Sequence, residues 1–361
     1  MIAPIARGLP DFPWDRLAAA HEVAGRHSGG VIDLSIGTPV DPTPAVITTA
    51  LASAADAPGY PTAAGRLELR QAWAQWSQRV LRANVSPDQV APVIGSKELV
   101  ALLPFTLGLR AGSIVAVPEL AYPTYAVGAL MVGASVVTYR DAADLPGHAD
   151  LIWVNSPGNP TGEVLGEEKL RAIVTTGRHL GAPVVSDECY VELGWEATPV
   201  SVLAAVGGDV SGVLAVHSLS KRSNLAGYRS GAVLGDAALV ADIVALRKHA
   251  GLLVPTPVQR ATEAALADDD HVQVQKERYR ARRDVLRAAF TAAGFDISHS
   301  QAGLYLWATR GEDCMQTVTW LAQRGIVVAP GDFYGPAGAR HVRIALTATD
   351  ERVAAVAQRL A

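Results

Sequence analysis

The sequence predicts an α/β protein, with a large domain built on a mostly parallel sheet flanked by helices and a smaller α+β domain beside it. Three observations predict this. A chain of 361 residues is long for one small core and short for three, so one large unit plus a smaller one is expected. Between about residues 90 and 235, short apolar runs without polar alternation exchange with amphipathic stretches, the pattern of strands buried on both faces under covering helices. After Pro255 and Pro257 the pattern changes to a long helical stretch and then to short strands mixed with helices.

Taken in order, Trp14–Arg26 reads as a helix able to pack on the smaller unit. The strand candidates of the large unit are Val90–Ile94, Ile114–Val117, Ser135–Tyr139, Leu151–Asn155, Pro183–Ser186, Val213–His217 and Gly231–Leu234, and most are continuous β-branched runs. Helix-like segments lie between them at Lys97–Leu109, Tyr122–Val132 and Glu167–His179. A helical stretch from Val258 to Ala293 breaks near Ala267–Asp270, where three consecutive aspartates suit a helix N-terminus. Strands at Tyr305–Ala308, Ile326–Ala329 and His341–Ala345 and helices at Cys314–Arg324 and Asp350–Leu360 complete the chain. These segments place the large domain at residues 40–255 and the smaller one at 1–39 and 256–361.

Composition excludes several classes. With 49% hydrophobic and 18% charged residues the chain can bury a substantial core and is not disordered. A net charge of −4 without a basic run offers nothing to nucleic acid or an acidic membrane surface. Cys189 and Cys314 have no metal-ligand spacing, and no apolar stretch reaches membrane-spanning length. With no signal-peptide pattern at the N-terminus, a soluble cytoplasmic protein without a metal site is the expectation. Only five of the 31 basic side chains are lysines, at 97, 169, 221, 248 and 276, which shortens the search for a reactive amine.

Four clusters carry chemistry. In the stretch to Lys221, a buried strand ends at His217 and Ser218, Ser220 and Lys221 follow in the turn. Ligands of open α/β sheets sit beyond the carboxyl ends of the strands, so Lys221 stands where it could form an imine with an aldehyde. Arg229, eight residues on, suits a bidentate hold on a phosphate, with the serine hydroxyls as further donors. Taken alone, Lys221 reads more readily as a surface lysine after a strand. Asp187 and Tyr190 follow another apolar run; a carboxylate there can pair with a protonated pyridine nitrogen and a phenol can reach a ring oxygen, although the pair also reads as a turn cap and a half-buried tyrosine. Residues 156–162, with two prolines and two glycines, fix an unusual turn that presents the Asn159 amide. At Gly95-Ser96-Lys97 a strand meets a helix, whose N-terminal amides can bind phosphate.

Together and in this order, the pieces resemble the class I/II aminotransferases, the fold-type I enzymes of pyridoxal 5′-phosphate (PLP). The resemblance spans the chain through IGTP at 36–39, GYPTAAGRLELR at 59–70, PGNPTG at 157–162, SDECY at 186–190, SLSK at 218–221 with Arg229, and VRIAL at 342–346. It implies that Lys221 holds PLP as a Schiff base, that Asp187 pairs with the pyridine nitrogen, and that Asn159 and Tyr190 contact the 3′ oxygen. It implies a phosphate held by Ser96, the backbone near Lys97, Ser218 and Arg229, and a pyridine ring stacked on Tyr122. Tyr60 then reaches the phosphate of a partner subunit in a homodimer with shared sites. Arg343 clamps the substrate α-carboxylate, with Gly37 closing on it. Lys97 is the one departure from the common pattern beside the phosphate.

Within that family, LPDFPWDRL near the N-terminus and SLSKRSNLAGYR at 218–229 are similar to bacterial succinyldiaminopimelate aminotransferases. Their substrate carries distal carboxylates, for which Arg7, Arg66 and Arg222 are candidate partners. A broad aspartate or aromatic aminotransferase, a PLP-dependent carbon–sulfur lyase and a non-catalytic PLP sensor are the alternatives. The presence of both Lys221 and Arg343 disfavours the sensor.

Overall fold

The computed structural model describes residues 5–361, and the side chain of Arg7 lies outside the described ones. A short 3-10 turn at Pro13–Leu17 runs into helix α1 (Ala18–Gly25), followed by strand β1 (Ile32–Asp33) and helices α2 (Ala45–Ser53) and α3 (Leu67–Trp76). The large sheet is laid down next. Its succession is β2 (Val90–Ile94), α4 (Ser96–Thr106), β3 (Ile114–Pro118), α5 (Thr124–Met131), β4 (Ser135–Tyr139), β5 (Leu151–Asn155), α6 (Glu167–Leu180) and β6 (Val184–Asp187). The short helix α7 (Val202–Ala205) leads to β7 (Val213–Ser218), the single turn α8 (Leu219–Arg222), β8 (Ser230–Gly235) and α9 (Ala237–Ala250). Two helices, α10 (Thr256–Ala267) and α11 (Asp270–Ala292), precede β9 (Asp296–Ser298), β10 (Tyr305–Thr309), α12 (Cys314–Ala322), β11 (Ile326–Val327), β12 (Ala329–Pro330), β13 (Val342–Ala345) and α13 (Asp350–Leu360).

The seven-stranded sheet has the order β2-β8-β7-β6-β5-β3-β4. Neighbours from β4 through β7 run parallel, and β8 is antiparallel to both β7 and β2. Successive side chains of a strand point to opposite faces, and the burial follows that rule. Ile152, Val154, Val184 and Ala215 enter one apolar core with α3, α6 and α10, whereas Leu151, Trp153, Val185, Leu214 and Val216 enter the other with α4 and α5. Continuous apolar runs are therefore required, because a polar residue on either face would be stranded.

The smaller unit has its own core, in which Leu17, Ala24, Ile32 and Leu34 from the N-terminus join Leu286, Phe290, Leu306, Val318, Ile344 and Val356. Its four-stranded sheet, β12-β13-β10-β9, is antiparallel. Two boundaries differ from expectation. Ala261, Ala265 and Leu266 of α10 pack into a core of the large unit, so the change of unit falls after α10 and not at residue 256. The expected strand Ile326–Ala329 is split: β11 pairs parallel with β1, and β12 pairs with β13 in the other sheet. The aspartate run does open a helix, with Asp268 accepting a bond from the Asp270 amide. No described helix is long and apolar enough to cross a membrane.

Candidate active site

The carboxyl ends of β5, β6 and β7 open on one cavity of about 340 Å³, roofed by the smaller unit. Asn155, Asp187 and Ser218 close these three strands, and the parallel register sets Asn155 beside Asp187. Lys221 lies on α8, which begins directly after β7, and reaches the cavity from below. Its amino group donates to the Gly37 carbonyl. Burial depresses the Lys221 pKa below the usual lysine value, offset in part by Tyr305 and Cys189. A buried lysine of lowered basicity is the form that adds to an aldehyde.

Asp187 is held from two sides. Tyr125 of α5 donates to one carboxylate oxygen at 2.8 Å and the Cys189 amide to the other at 3.2 Å. Tyr125 is fixed by stacking on Trp153, centroid to centroid 4.8 Å. Burial raises the Asp187 pKa, opposed by these hydrogen bonds. A cationic ring nitrogen beside it would reverse that balance by direct charge pairing.

The loop after β5 is organised by Asn155, which donates to the carbonyls of Asp187 at 2.9 Å and Pro157 at 3.2 Å and accepts from the Asn159 amide at 2.7 Å. Both prolines of the loop follow cis peptide bonds. Asn159 lines the cavity and accepts a bond from Arg343 Nη1 at 2.8 Å. Arg343 Nη2 donates to the Ser35 carbonyl at 2.6 Å, while its Nε has no partner among the described residues. The guanidinium is 2% exposed and lies 3.9 Å from the Tyr305 ring centre and 4.9 Å from that of Tyr334. Such stacking holds a buried arginine planar and leaves its edge for a carboxylate.

A phosphate-sized cradle lies at the other end. Gly95 takes a φ of +71° and leads into α4, the Ser218 hydroxyl accepts from the Ser220 amide at 3.1 Å, and Arg229, at a φ of +58°, lies against Gly95. A Cβ at Gly95 would occupy the place of the Arg229 guanidinium, so the glycine makes the room for that cation. Helix amides, hydroxyls and an arginine converge here as a phosphate requires. Lys221, Asp187 and Tyr122 line the same cavity as this cradle. The donor set fits a pyridine aldehyde carrying a phosphate.

Of the residues singled out by sequence, Gly37, Ser96, Lys97, Tyr122, Asn159, Asp187, Tyr190, Ser218, Lys221, Arg229 and Arg343 line this one cavity. Lys97 is at its rim, exposed, with its amino group 5.3 Å from the centre of the Phe12 ring. Tyr60 is not brought in; it is 98% exposed in a separate depression with Arg66 and Arg260. Arg222 is not at the mouth either. It is buried behind the site against Glu192 and hydrogen-bonded to the Ala265 carbonyl, which removes it from substrate contact. Sequence reasoning passed over Asn155, Tyr125, Tyr305, Phe12 and Trp14, which also line the cavity. Asn155 had one signal, a polar residue ending an apolar run; the others look like ordinary core or loop aromatics.

The chain matches the family described as aminotransferase class I and II over residues 29–360. It is 56% identical to a probable aminotransferase of Mycobacterium tuberculosis over 99% of this chain and 86% of that protein. It is 52% identical to the 4-dedimethylamino-4-oxo-anhydrotetracycline transaminase of Streptomyces rimosus, over 98% and 99%. A solved structure of a probable N-succinyldiaminopimelate aminotransferase from Thermus thermophilus superposes with a TM-score of 0.88 at 28% identity, covering 97% of this chain and 99% of that one.

Proposed function

The chain belongs to the class I and II aminotransferases and is a PLP-dependent transaminase; from that premise we propose that it exchanges an amino group between N-succinyl-2,6-diaminopimelate and 2-oxoglutarate, with Lys221 as the cofactor's anchor and proton carrier. The observation that carries the assignment of the site is the cavity itself, which brings together an amine, a carboxylate, a phosphate cradle and a carboxylate-seeking arginine. PLP supplies an electron sink for the pair left behind when the substrate Cα proton departs.

The protein's own groups do the rest. Lys221 Nζ, kept weakly basic by burial, would take the substrate Cα proton and return it to the cofactor's aldehyde carbon on the other side of the linking nitrogen, acting as base and then as acid. Asp187, fixed by Tyr125, keeps the ring nitrogen protonated. Asn159 and Tyr190 hold the ring oxygen, Tyr122 covers the ring face, and Ser96, Lys97 through its backbone, Ser218 and Arg229 hold the phosphate. Arg343 binds the α-carboxylate and Gly37 closes over it. Tyr60, fully exposed on its own subunit, serves the site of a partner in a homodimer. The smaller unit roofs the cavity and excludes water from the reacting carbon.

Two features support the distal-carboxylate substrate. Lys97 is a cation at the rim that enters no ion pair among the described residues, and the Thermus structure is named for this substrate. Arg66 pairs with Glu68 and Glu263 beside Tyr60, so it reads substrate only across a dimer interface. A second reading, a bulky ring ketone as amino acceptor, is favoured by the Streptomyces rimosus relative and by the aromatic side chains Phe12 and Trp14 lining the mouth.

The deciding experiment loads the purified protein with PLP, adds L-glutamate or succinyldiaminopimelate alone, and follows loss of the lysine-bound cofactor's absorbance. Conversion by both supports the proposed substrate. Conversion by glutamate alone discards it and keeps the transaminase; pyruvate and ammonia released from cystathionine would instead mark a lyase.

A further inference from the structure

Tyr305 opens β10 and pairs in register with Ala345, two residues beyond Arg343 on β13. Its two parts face different partners. The ring lies under the Arg343 guanidinium, 3.9 Å from ring centre to the central carbon. The hydroxyl stands 3.1 Å from the Tyr190 hydroxyl, with the two rings edge to face at 5.7 Å. A Cβ at Gly37 would collide with the Tyr305 hydroxyl, so the absence of a side chain at 37 lets Tyr305 stand there, beside the carbonyl that receives the Lys221 amine. Tyr122, Tyr190, Tyr279, Tyr334, Lys221 and Arg343 are the ionisable groups whose charge it feels or alters.

We propose that Tyr305 is a positioning residue that ties capture of the substrate carboxylate at Arg343 to the hydroxyl of Tyr190, its ring holding the arginine and its hydroxyl donating to the tyrosine. The inference rests on the reading of Tyr190 as the neighbour of the cofactor's 3′ oxygen. If Tyr190 donates its one proton to that oxygen, the 3.1 Å contact between the two hydroxyls has Tyr305 as its donor. Hydrogen bonds arranged head to tail strengthen one another, so the donation from Tyr305 sharpens the one from Tyr190. A proton donor on the 3′ oxygen weakens that oxygen's hold on the proton of the adjacent Lys221 nitrogen, and so lowers the pH at which the nitrogen loses it. Removing either hydroxyl therefore moves the transition upward.

The test uses PLP-loaded wild type, Tyr190→Phe, Tyr305→Phe and Tyr305→Leu, with two readouts: the pH midpoint of the lysine-bound cofactor's absorbance, and KM against kcat for glutamate. Tyr190→Phe is expected to raise the midpoint. Tyr305→Phe should raise it by a smaller step, roughly 0.3 to 0.5 pH unit, with KM within about twofold because the ring remains. Tyr305→Leu should show the same midpoint shift together with a KM about tenfold higher, the loss expected for a buried cation–π contact. A wild-type midpoint in Tyr305→Phe, with Tyr190→Phe shifted, overturns the coupling and leaves the Tyr190 reading standing. An unshifted midpoint in Tyr190→Phe overturns both. A KM that rises equally in the Phe and Leu variants overturns the assignment of the ring to Arg343.

Discussion

Lys221 and Gly95 illustrate how differently two residues of one cavity depend on their surroundings. Lys221 acts through its own amine, so Lys221→Ala should abolish turnover and the lysine-bound absorbance while PLP still binds reversibly through the phosphate cradle and Asp187. Unchanged turnover would remove the central assignment. Gly95 acts through what it leaves out. Gly95→Ala places a methyl where the Arg229 guanidinium lies and asks an alanine to hold a φ of +71°. Loss of that charged contact should weaken PLP by roughly tenfold or more, measured by titrating apoprotein with the cofactor. Equal affinity would show that Arg229 does not hold the phosphate. Lys221, Arg229 and Arg343 could be picked out in the sequence because few residue types suit that chemistry, and they line one cavity; Arg222 was picked out on the same ground and lies behind it. The contribution of Tyr305 and Tyr125 was not legible, because a phenol's role is set by the atom its hydroxyl meets.

At the scale of strands, the alternation that turns Asp187 into the cavity turns its neighbour Glu188 away, toward His217 on β7. The two are almost fully buried, 3.6 Å apart, and packed against Trp76, whose ring centre is 4.9 Å from that of His217. Burial pushes the Glu188 carboxyl up to about 7 and the His217 imidazole down to about 3, so the contact is a carboxylic acid beside a neutral ring and not an ion pair. Their linkages to folding have opposite sign. His217 contributes stability above its unfolded value of 6.5 that is lost as pH falls toward about 3. Glu188 contributes stability below its unfolded value of 4.5 that is lost as pH rises toward about 7. Between 4.5 and 6.5 the two slopes cancel. Denaturant unfolding of Glu188→Gln should therefore show stability falling more steeply below pH 6.5 than the parent's does. Parallel curves for the two proteins would mean the pair does not titrate as described. The strands themselves were legible because burial on both faces forbids polar residues along them. The split at Val328 and the side on which α10 packs were not, since a two-residue ladder or a helix facing one core instead of another leaves no local periodicity to read.

Across the whole molecule, the placement of Tyr60 has a direct experimental consequence. It is 98% exposed and outside the cavity of its own chain, as a residue that serves a second subunit would be. If it does, mixing Tyr60→Ala and Lys221→Ala proteins should restore activity to about a quarter of wild type, since half the dimers are mixed and each carries one intact site. No recovery on mixing, with subunit exchange demonstrated, would confine each site to one chain. The sequence already groups residues 1–39 with 256–361, but the pairings that tie the two segments together show only in three dimensions. A separate two-stranded sheet joins β1 to β11, the Ala345 amide donates to the Leu34 carbonyl, and Arg359 donates to the carbonyls of Gly29 and Gly30. During synthesis Ile32 leaves the ribosome long before its partner Ile326, a wait on the order of 15–60 s at ordinary elongation rates. Leu17, Ile32 and Leu34 spend that interval without their core, while the seven-stranded sheet, with Asp187 and Lys221 aboard, can already close. The nascent chain thus completes its proposed cofactor cradle first, and Arg343, proposed to bind the substrate carboxylate, arrives with the last strand to be made.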